Sequence, residues 1–95
     1  MEYEYTKKFK KDLLRYKTNE ELIHILGKKI QHIAKTTSTK DIHELVTIRK
    51  TKAHYRIKIK ISESEIYRIG IAVLKNKVWV ACIDKDKKRF YKRFP

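Results

Sequence analysis

Basic side chains alternate with apolar ones over residues 54–61, at a spacing that could support chemistry on a phosphate. Arg56, Lys58 and Lys60 lie at every second position, with an isoleucine after each of them and Tyr55 before Arg56. Because side chains along a β-strand alternate between its two faces, the pattern predicts a strand with one cationic face and one apolar face. A further arginine, Arg68, lies within the next apolar run.

The register between these two strands decides what the basic residues face. Both apolar sets have to lie on the core side, because a slip of one residue would exchange the two faces. That condition places Lys58 opposite Arg68 and Arg56 opposite Gly70. Like charges directly opposite each other are destabilising, and glycine leaves space beside them, so we expect a shallow basic hollow that takes an anion. A solvated sheet face is the alternative.

Such a set of cations could cleave RNA without a metal. The 2′-OH attacks the adjacent phosphate when a base removes its proton, cations stabilise the pentavalent phosphorane, and an acid protonates the departing 5′ oxygen. The composition alone indicates only non-specific binding of polyanions. The formal net charge of +14 attracts nucleic acid or a strongly acidic protein. An anionic membrane surface is the weaker alternative.

The length and the missing motifs limit the other possibilities. A chain of 95 residues predicts one domain, 1–95, with a single core. No apolar run is long enough to cross a membrane, and no signal-peptide segment is present, so the expected location is the cytoplasm. Cys82 is the one cysteine, and neither a glycine-rich loop nor an HExxH motif occurs. The sequence therefore implies no metal and no cofactor.

The elements that precede the sheet in the chain are expected to pack against it. Residues 1–5 predict an edge strand, and Thr6 fits the N-cap of a helix that continues to about Tyr16. Thr18 and Glu21 fit a capping box that opens a second helix. Its apolar stripe recurs at helical spacing at Leu22, Leu26, Ile30 and Ile33. We predict an α+β fold, in which the N-terminal strand and the helical hairpin pack on a twisted antiparallel sheet of about four strands.

Four strands are expected in the second half of the chain. The first follows a polar linker at 35–40 and begins near Ile42. The second is the strand with the cationic face, the third covers 66–74, and the fourth covers 78–83 after a turn at Asn76. Short turns between the last three strands predict an antiparallel meander.

Other residues that could carry chemistry have simpler interpretations. His54 begins the cationic strand without a cysteine or carboxylate at a ligand spacing, so metal binding is not expected. Asp84 and Asp86 alternate with lysines and are predicted to be turn residues in local ion pairs. Trp79 is either a core residue or exposed for stacking, and the core is favoured. Residues 89–95 are expected to form a basic and aromatic tail that packs one or two side chains on the core.

The order of these motifs resembles the RelE/ParE superfamily of bacterial toxins, the toxin halves of type II toxin–antitoxin systems. The motifs that carry the resemblance are YRIKI, then IYRIGI, then a charged turn and FYKRFP. The resemblance implies a fold like that of a small microbial RNase and a cognate acidic antitoxin. Members of the RelE branch cut mRNA on the ribosome without a metal, whereas members of the ParE branch inhibit DNA gyrase. We favour a RelE-like toxin, with a ParE-like toxin or a non-catalytic RNA-binding module as alternatives.

The resemblance also implies roles for individual residues. Arg56 and Lys58 match the paired basic residues that the RelE branch carries on this strand. Arg68 matches an arginine that stabilises the phosphate, and Tyr91 matches a tyrosine that stacks on or orients the substrate.

The turn before that tyrosine differs from the family pattern. Related sequences often read His-Arg-Lys where this chain has Asp86-Lys87-Lys88. Lys87 keeps a positive charge near the leaving oxygen but lacks the bidentate fork of arginine, and Asp86 cannot replace a histidine acid or base at neutral pH. The remaining basic residues are expected to bind the RNA backbone: Lys60, Lys88, Arg89, Lys92 and Arg93.

Overall fold

A computed structural model describes residues 1–36, 46–47 and 54–94. The strands are β1 Glu2–Tyr5, β2 Val46–Thr47, β3 His54–Ser62, β4 Glu65–Leu74 and β5 Lys77–Asp84. The helices are α1 Lys7–Leu13, α2 Glu20–Lys35 and α3 Lys87–Arg93, and a 3₁₀ turn, Leu14–Tyr16, follows α1. Within these ranges, no helix is both long enough and apolar enough to cross a membrane. The element order confirms the predicted α+β class.

The described strands form one five-stranded sheet in the order β1-β5-β4-β3-β2. The strands from β2 to β5 are antiparallel, whereas β1 joins the edge of the sheet parallel to β5. The predicted register is confirmed, because Lys58 lies opposite Arg68 and Arg56 lies opposite Gly70. Of the strand predicted from Ile42, the structure contains β2. The rest of that strand and most of the polar linker lie outside the described residues.

The helical hairpin packs on one face of the sheet, as predicted. Phe9 of α1 is buried there, together with the apolar stripe of α2. The inward-facing residues of β3 and β4 complete this core, with Ile57, Ile59, Tyr67, Ile69 and Ile71 all buried. The period-two pattern of the strands therefore points its apolar side at the helices.

The two helix starts differ in how well the sequence predicts them. The Thr6 hydroxyl oxygen accepts a hydrogen bond from the Phe9 N–H at 3.1 Å, which confirms Thr6 as the N-cap of α1. The capping box at Thr18 is wrong, because the N-cap of α2 is Asn19, whose side-chain oxygen accepts from the Leu22 N–H at 3.1 Å. The Asn19 N–H also donates to the Tyr16 carbonyl at 2.9 Å, so the turn after α1 delays the helix by one residue.

The second face of the sheet is covered in part by α3. The predicted basic and aromatic tail is a helix, and the Asp86 side chain caps it by accepting from the Arg89 N–H at 2.9 Å. Phe90 and Phe94 pack against Cys82 in a second, smaller core. The shallow hollow expected above Gly70 is therefore wrong, because the Phe94 ring fills that space. A Cβ at Gly70 would lie 2.6 Å from a carbon of this ring.

A bulge in β5 changes which of its side chains face α3. Gly70 pairs with Cys82 and Ile71 pairs with Val80, so Ala81 is the extra residue. As a result, Val80 and Ile83 both pack in the larger core, whereas Cys82 packs with α3. Uninterrupted alternation would have placed Cys82 and the following carboxylate, Asp84, under the helical hairpin.

Trp79 also lies on the second face, and its assignment to the core is wrong. Its ring is half-buried, lies opposite Ala72 and belongs to neither core. The ammonium of Lys77 lies 4.4 Å from the ring centroid. The indole thus lies beside the Lys77 ammonium and outside both apolar cores.

The contact between Gly70 and Phe94 makes a prediction about stability. Gly70→Ala should lower the free energy of unfolding by about 1–3 kcal/mol, because the added methyl group has to displace the Phe94 ring or the Cys82 sulfur. Gly27→Ala is the control, since a Cβ there meets no atom within 4 Å. In α2 this change should raise the same free energy by roughly 0.5–1 kcal/mol. Urea unfolding measures both, and equal changes would contradict the position of Phe94.

Candidate active site

The four basic residues that alternation predicts do lie together on the second face of the sheet. We call Arg56, Lys58 and Lys60 of β3 and Arg68 of β4 the cationic cluster. Lys58 and Arg68 are directly opposite each other, a position in which Cβ atoms are about 5 Å apart. Their exposure differs: Lys58 and Lys60 are exposed, Arg56 is half-buried, and Arg68 is only 7% exposed.

Arg68 is the unusual member of the cluster, because it is nearly buried and forms no ion pair among the described residues. Its Nε atom is buried and has no hydrogen-bond partner among the described residues. Asp84 lies opposite it in β5, but the carboxylate of Asp84 binds two other arginines. A buried donor without a partner is unfavourable. An anion bound between β3 and β4 would satisfy this donor.

Asp84 instead anchors α3 through a bidentate pair. Its two carboxylate oxygens accept from Nε and Nη2 of Arg89 at 2.8 and 3.0 Å. Arg93 donates to Asp84 at 2.9 Å and also to Asp12 of α1 at 2.7 Å. The predicted ion pair of Asp84 is thus made with arginines of α3 rather than with the neighbouring lysines. Asp12 was not predicted to take part.

The charge of Asp84 is stabilised by these donors. Burial raises the pKa of Asp84, but the hydrogen bonds from Arg89, from the Asp86 N–H and from Arg93 outweigh it and hold the pKa below the ordinary value. The hydrogen bond and the charge of Asp84 raise the pKa of Arg89 in turn. Asp84 is therefore an anionic anchor at neutral pH, with no proton to give to a reaction.

The remaining predicted residues are distributed over α3 and the end of β3. Lys87, Lys88 and Lys92 are exposed on α3. Tyr91 is half-buried, with its ring edge-on to Phe90 at 5.1 Å between centroids. Lys60 binds Glu63 at 3.0 Å. The roles of all these residues in binding or catalysis stay predictions, and the guanidinium groups of Arg89 and Arg93 are already engaged within the protein.

His54 is a member of this surface that the sequence analysis set aside. It lies two residues before Arg56 on the same face of β3, and its ring lies edge-on to that of Phe94 at 5.1 Å between centroids. Its Nδ1 atom is buried without a hydrogen-bond partner among the described residues. The alternation of β3 already placed His54 beside Arg56 and could have marked it as a candidate.

The fold resembles one solved structure of a toxin–antitoxin complex. A chain of the RelB–RelE antitoxin–toxin complex from Methanococcus jannaschii has a TM-score of 0.71 and 22% sequence identity to this protein. The match covers 96% of this chain and 98% of that chain. This likeness confirms the RelE-like fold that the sequence motifs implied. No protein-family model and no curated protein matches the sequence.

The Asp84 anchor should be visible in acid unfolding. Above pH 4 or so, Asp84→Asn should lower the free energy of unfolding by roughly 1–3 kcal/mol, because it removes a buried carboxylate that accepts hydrogen bonds from two partly exposed arginines. The pKa of Asp84 is lower in the folded than in the unfolded protein. Its contribution is therefore complete above the unfolded value of about 4 and is lost as the pH falls through the folded value. The variant should lose less stability over that acid range.

Asp86→Asn is the matched control for this experiment. Asparagine caps a helix about as well as aspartate, so the free energy of unfolding should change by less than about 0.5 kcal/mol. Urea unfolding at a series of pH values measures both variants. An Asp84→Asn protein that matches the control at every pH would show that the anchor does not stabilise α3.

Proposed function

We propose that this protein is the toxin of a type II toxin–antitoxin system and cleaves mRNA on the ribosome without a metal. The observation that carries the proposal is the nearly buried Arg68, which lies opposite Lys58 and has no anionic partner among the described residues. The likeness to a chain of an antitoxin–toxin complex supports the class of protein. We further propose that residues 1–95 act as one domain and that the protein works in the cytoplasm.

The proposed reaction is a transphosphorylation within the RNA. Lys58, or a neighbouring basic group, accepts the proton of the 2′-OH as its oxygen attacks the adjacent phosphorus. Arg56 and Arg68 hold the phosphorane, and Lys87 keeps a positive charge near the leaving 5′ oxygen. Tyr91 stacks on or orients the nucleotide. The products are a 2′,3′-cyclic phosphate and a 5′-hydroxyl end.

The burial of Arg68 suits it to this role. A guanidinium in a region of low dielectric interacts with a phosphate more strongly than one in water. The interaction grows as charge accumulates on the phosphorane oxygens, so it lowers the barrier rather than merely binding the substrate. The remaining exposed lysines, Lys60, Lys88 and Lys92, are proposed to bind flanking phosphates.

Arg68→Met is the sharpest test, because it separates catalysis from folding. Replacement of an unpaired buried cation by an apolar side chain of similar length should leave the free energy of unfolding unchanged or raise it. Single-turnover cleavage on programmed ribosomes should fall about a hundredfold or more, as expected for the loss of one donor to the transition state. Lys60→Met is the control and should change the rate by only a few fold.

Expression in cells without an antitoxin distinguishes the other functions. The wild type should stop growth with mRNAs cut within codons, and the Arg68→Met variant should be harmless. Arrest with intact mRNA and gyrase-dependent DNA breaks would replace the proposal by a ParE-like toxin. Harmless expression of the wild type would leave an RNA-binding module.

The proposed antitoxin has a candidate contact surface on the helical hairpin. An apolar cleft of about 320 Å³ is lined by Lys10, Leu13, Leu14, Lys17 and Ile23. Leu14 is 64% exposed there. Lysines at the rim of an apolar cleft favour a partner that presents carboxylates around one or two large apolar side chains. An acidic, partly disordered antitoxin that folds on binding has this chemistry.

Leu14→Glu should therefore weaken binding of the small acidic protein that we expect to be encoded beside this gene. We expect at least a tenfold increase in Kd with an unchanged melting temperature, since the side chain is already exposed. Leu74→Glu is the matched control, because Leu74 is 54% exposed at the far β4–β5 turn. The wild-type association rate should also fall steeply with salt, because opposite charges are screened over about 8 Å at physiological ionic strength. Equal effects of both variants would contradict this surface.

A further inference from the structure

Two buried side-chain nitrogens in the described ranges have no hydrogen-bond partner, and both belong to the second face of the sheet. They are Nε of Arg68 and Nδ1 of His54. A buried polar atom without a hydrogen-bond partner is unfavourable. For Arg68, we have already proposed that the guanidinium binds the phosphate. His54 requires an explanation of its own.

The strand places His54 and Lys58 on either side of Arg56. All three alternate onto one face of β3, so neighbouring members are separated by about 6.6 Å along the strand. In an in-line displacement, the attacking and leaving oxygens lie on opposite sides of the phosphorus. A phosphate held at Arg56 would therefore have one proton-transfer group on each side.

The groups that face His54 come from three elements. Among the described residues, β3 contributes the cationic Arg56 on the same face, β4 places the uncharged Ala72 opposite, and α3 is followed by Phe94, whose ring contacts the imidazole. With its proton on Nε2, a neutral imidazole has a free acceptor at Nδ1.

We infer that His54, rather than Lys58, is the general base of the proposed cleavage and that Lys58 is instead the general acid. This inference rests on the proposed nuclease function. The imidazole accepts the 2′-OH proton while the O2′–P bond forms. The P–O5′ bond then breaks as the 5′ oxygen takes a proton from the Lys58 ammonium. Proton exchange with solvent then restores the neutral imidazole of His54 and the ammonium of Lys58.

Phe94 has to move for this reaction to occur. It lies one residue beyond α3, at the C-cap, whereas Phe90 and the ion pairs of Arg93 hold the helix itself. Departure of the ring from His54 and Gly70 would give up its apolar contacts with Phe90 and Cys82 but none of the Arg93 ion pairs, and a nucleotide would take its place.

Single-turnover cleavage on programmed ribosomes tests the inference with His54→Gln. We expect the rate to fall at least a hundredfold, within the range for loss of a general base, while affinity for the ribosome changes by less than twofold. The wild-type rate should rise with pH, because only a neutral imidazole can accept the 2′-OH proton, and the variant should lack that rise. His32→Gln is the control, because His32 is exposed on α2, on the other side of the sheet.

Added imidazole separates proton transfer from a structural role. His54→Gly should regain activity in proportion to the concentration of neutral imidazole, whereas Arg68→Met should not respond. If His54→Gln fails to fold in thermal melts, His54→Asn takes its place in the same assays.

Two results would overturn the inference, and they are distinguishable. A His54→Gln protein as fast as the His32→Gln control, or one that keeps the pH dependence of the wild type, would exclude His54 as the base and leave the nuclease function intact. A wild type that does not cleave mRNA at all would remove the proposed function and this inference together.

Discussion

The placement of α3 depends on two buried carboxylates, Asp12 and Asp84. Arg93 binds both of them, and Arg89 forms a bidentate pair with Asp84. Asp12 also accepts a hydrogen bond from the Ile83 N–H at 3.3 Å. Ile83 lies in the part of β5 that does not pair with β1. The same charges thus join α1, the edge of the sheet and α3. Without them, a helix of seven residues that includes five cations would have to pack on a basic sheet by apolar contacts alone.

This arrangement divides the second face into a neutralised part and an unneutralised part. Around β5, each buried charge has a partner of opposite sign. Around β3 and β4, Lys58 lies opposite Arg68, and the described residues supply no anion for the guanidinium. Repulsion of this kind lowers stability without any packing benefit. The contrast between this unpaired arginine and the fully paired network is the physical reason for proposing the cationic cluster as a binding site.

Much of the fold could be predicted because the relevant signals are local. Alternation in β3 and β4 specified both faces, since a slip of one residue would move Ile57, Ile59 and Ile69 out of the core, and the short turn between Ser62 and Glu65 fixes the rest of the register. The turn at Asn76 was also predictable, because a two-residue hairpin requires positive φ and asparagine tolerates it. Lys75 and Asn76 both have positive φ in the structure. The start of α2 could not be predicted to the residue, because Thr18 and Asn19 both suit the N-cap position. The 3₁₀ turn that precedes them determines that Asn19 is the cap.

The sequence by itself determined which cations share a face, because a two-residue period allows no other arrangement of β3. Only the tertiary structure decided their environments. The bulge at Ala81 moved Asp84 to the face of Arg68, and α3 then placed Arg89 and Arg93 on that carboxylate. Phe94 closed the space above Gly70 and covered His54. Burial and pairing depend on contacts between residues far apart in the chain, which a local pattern does not contain.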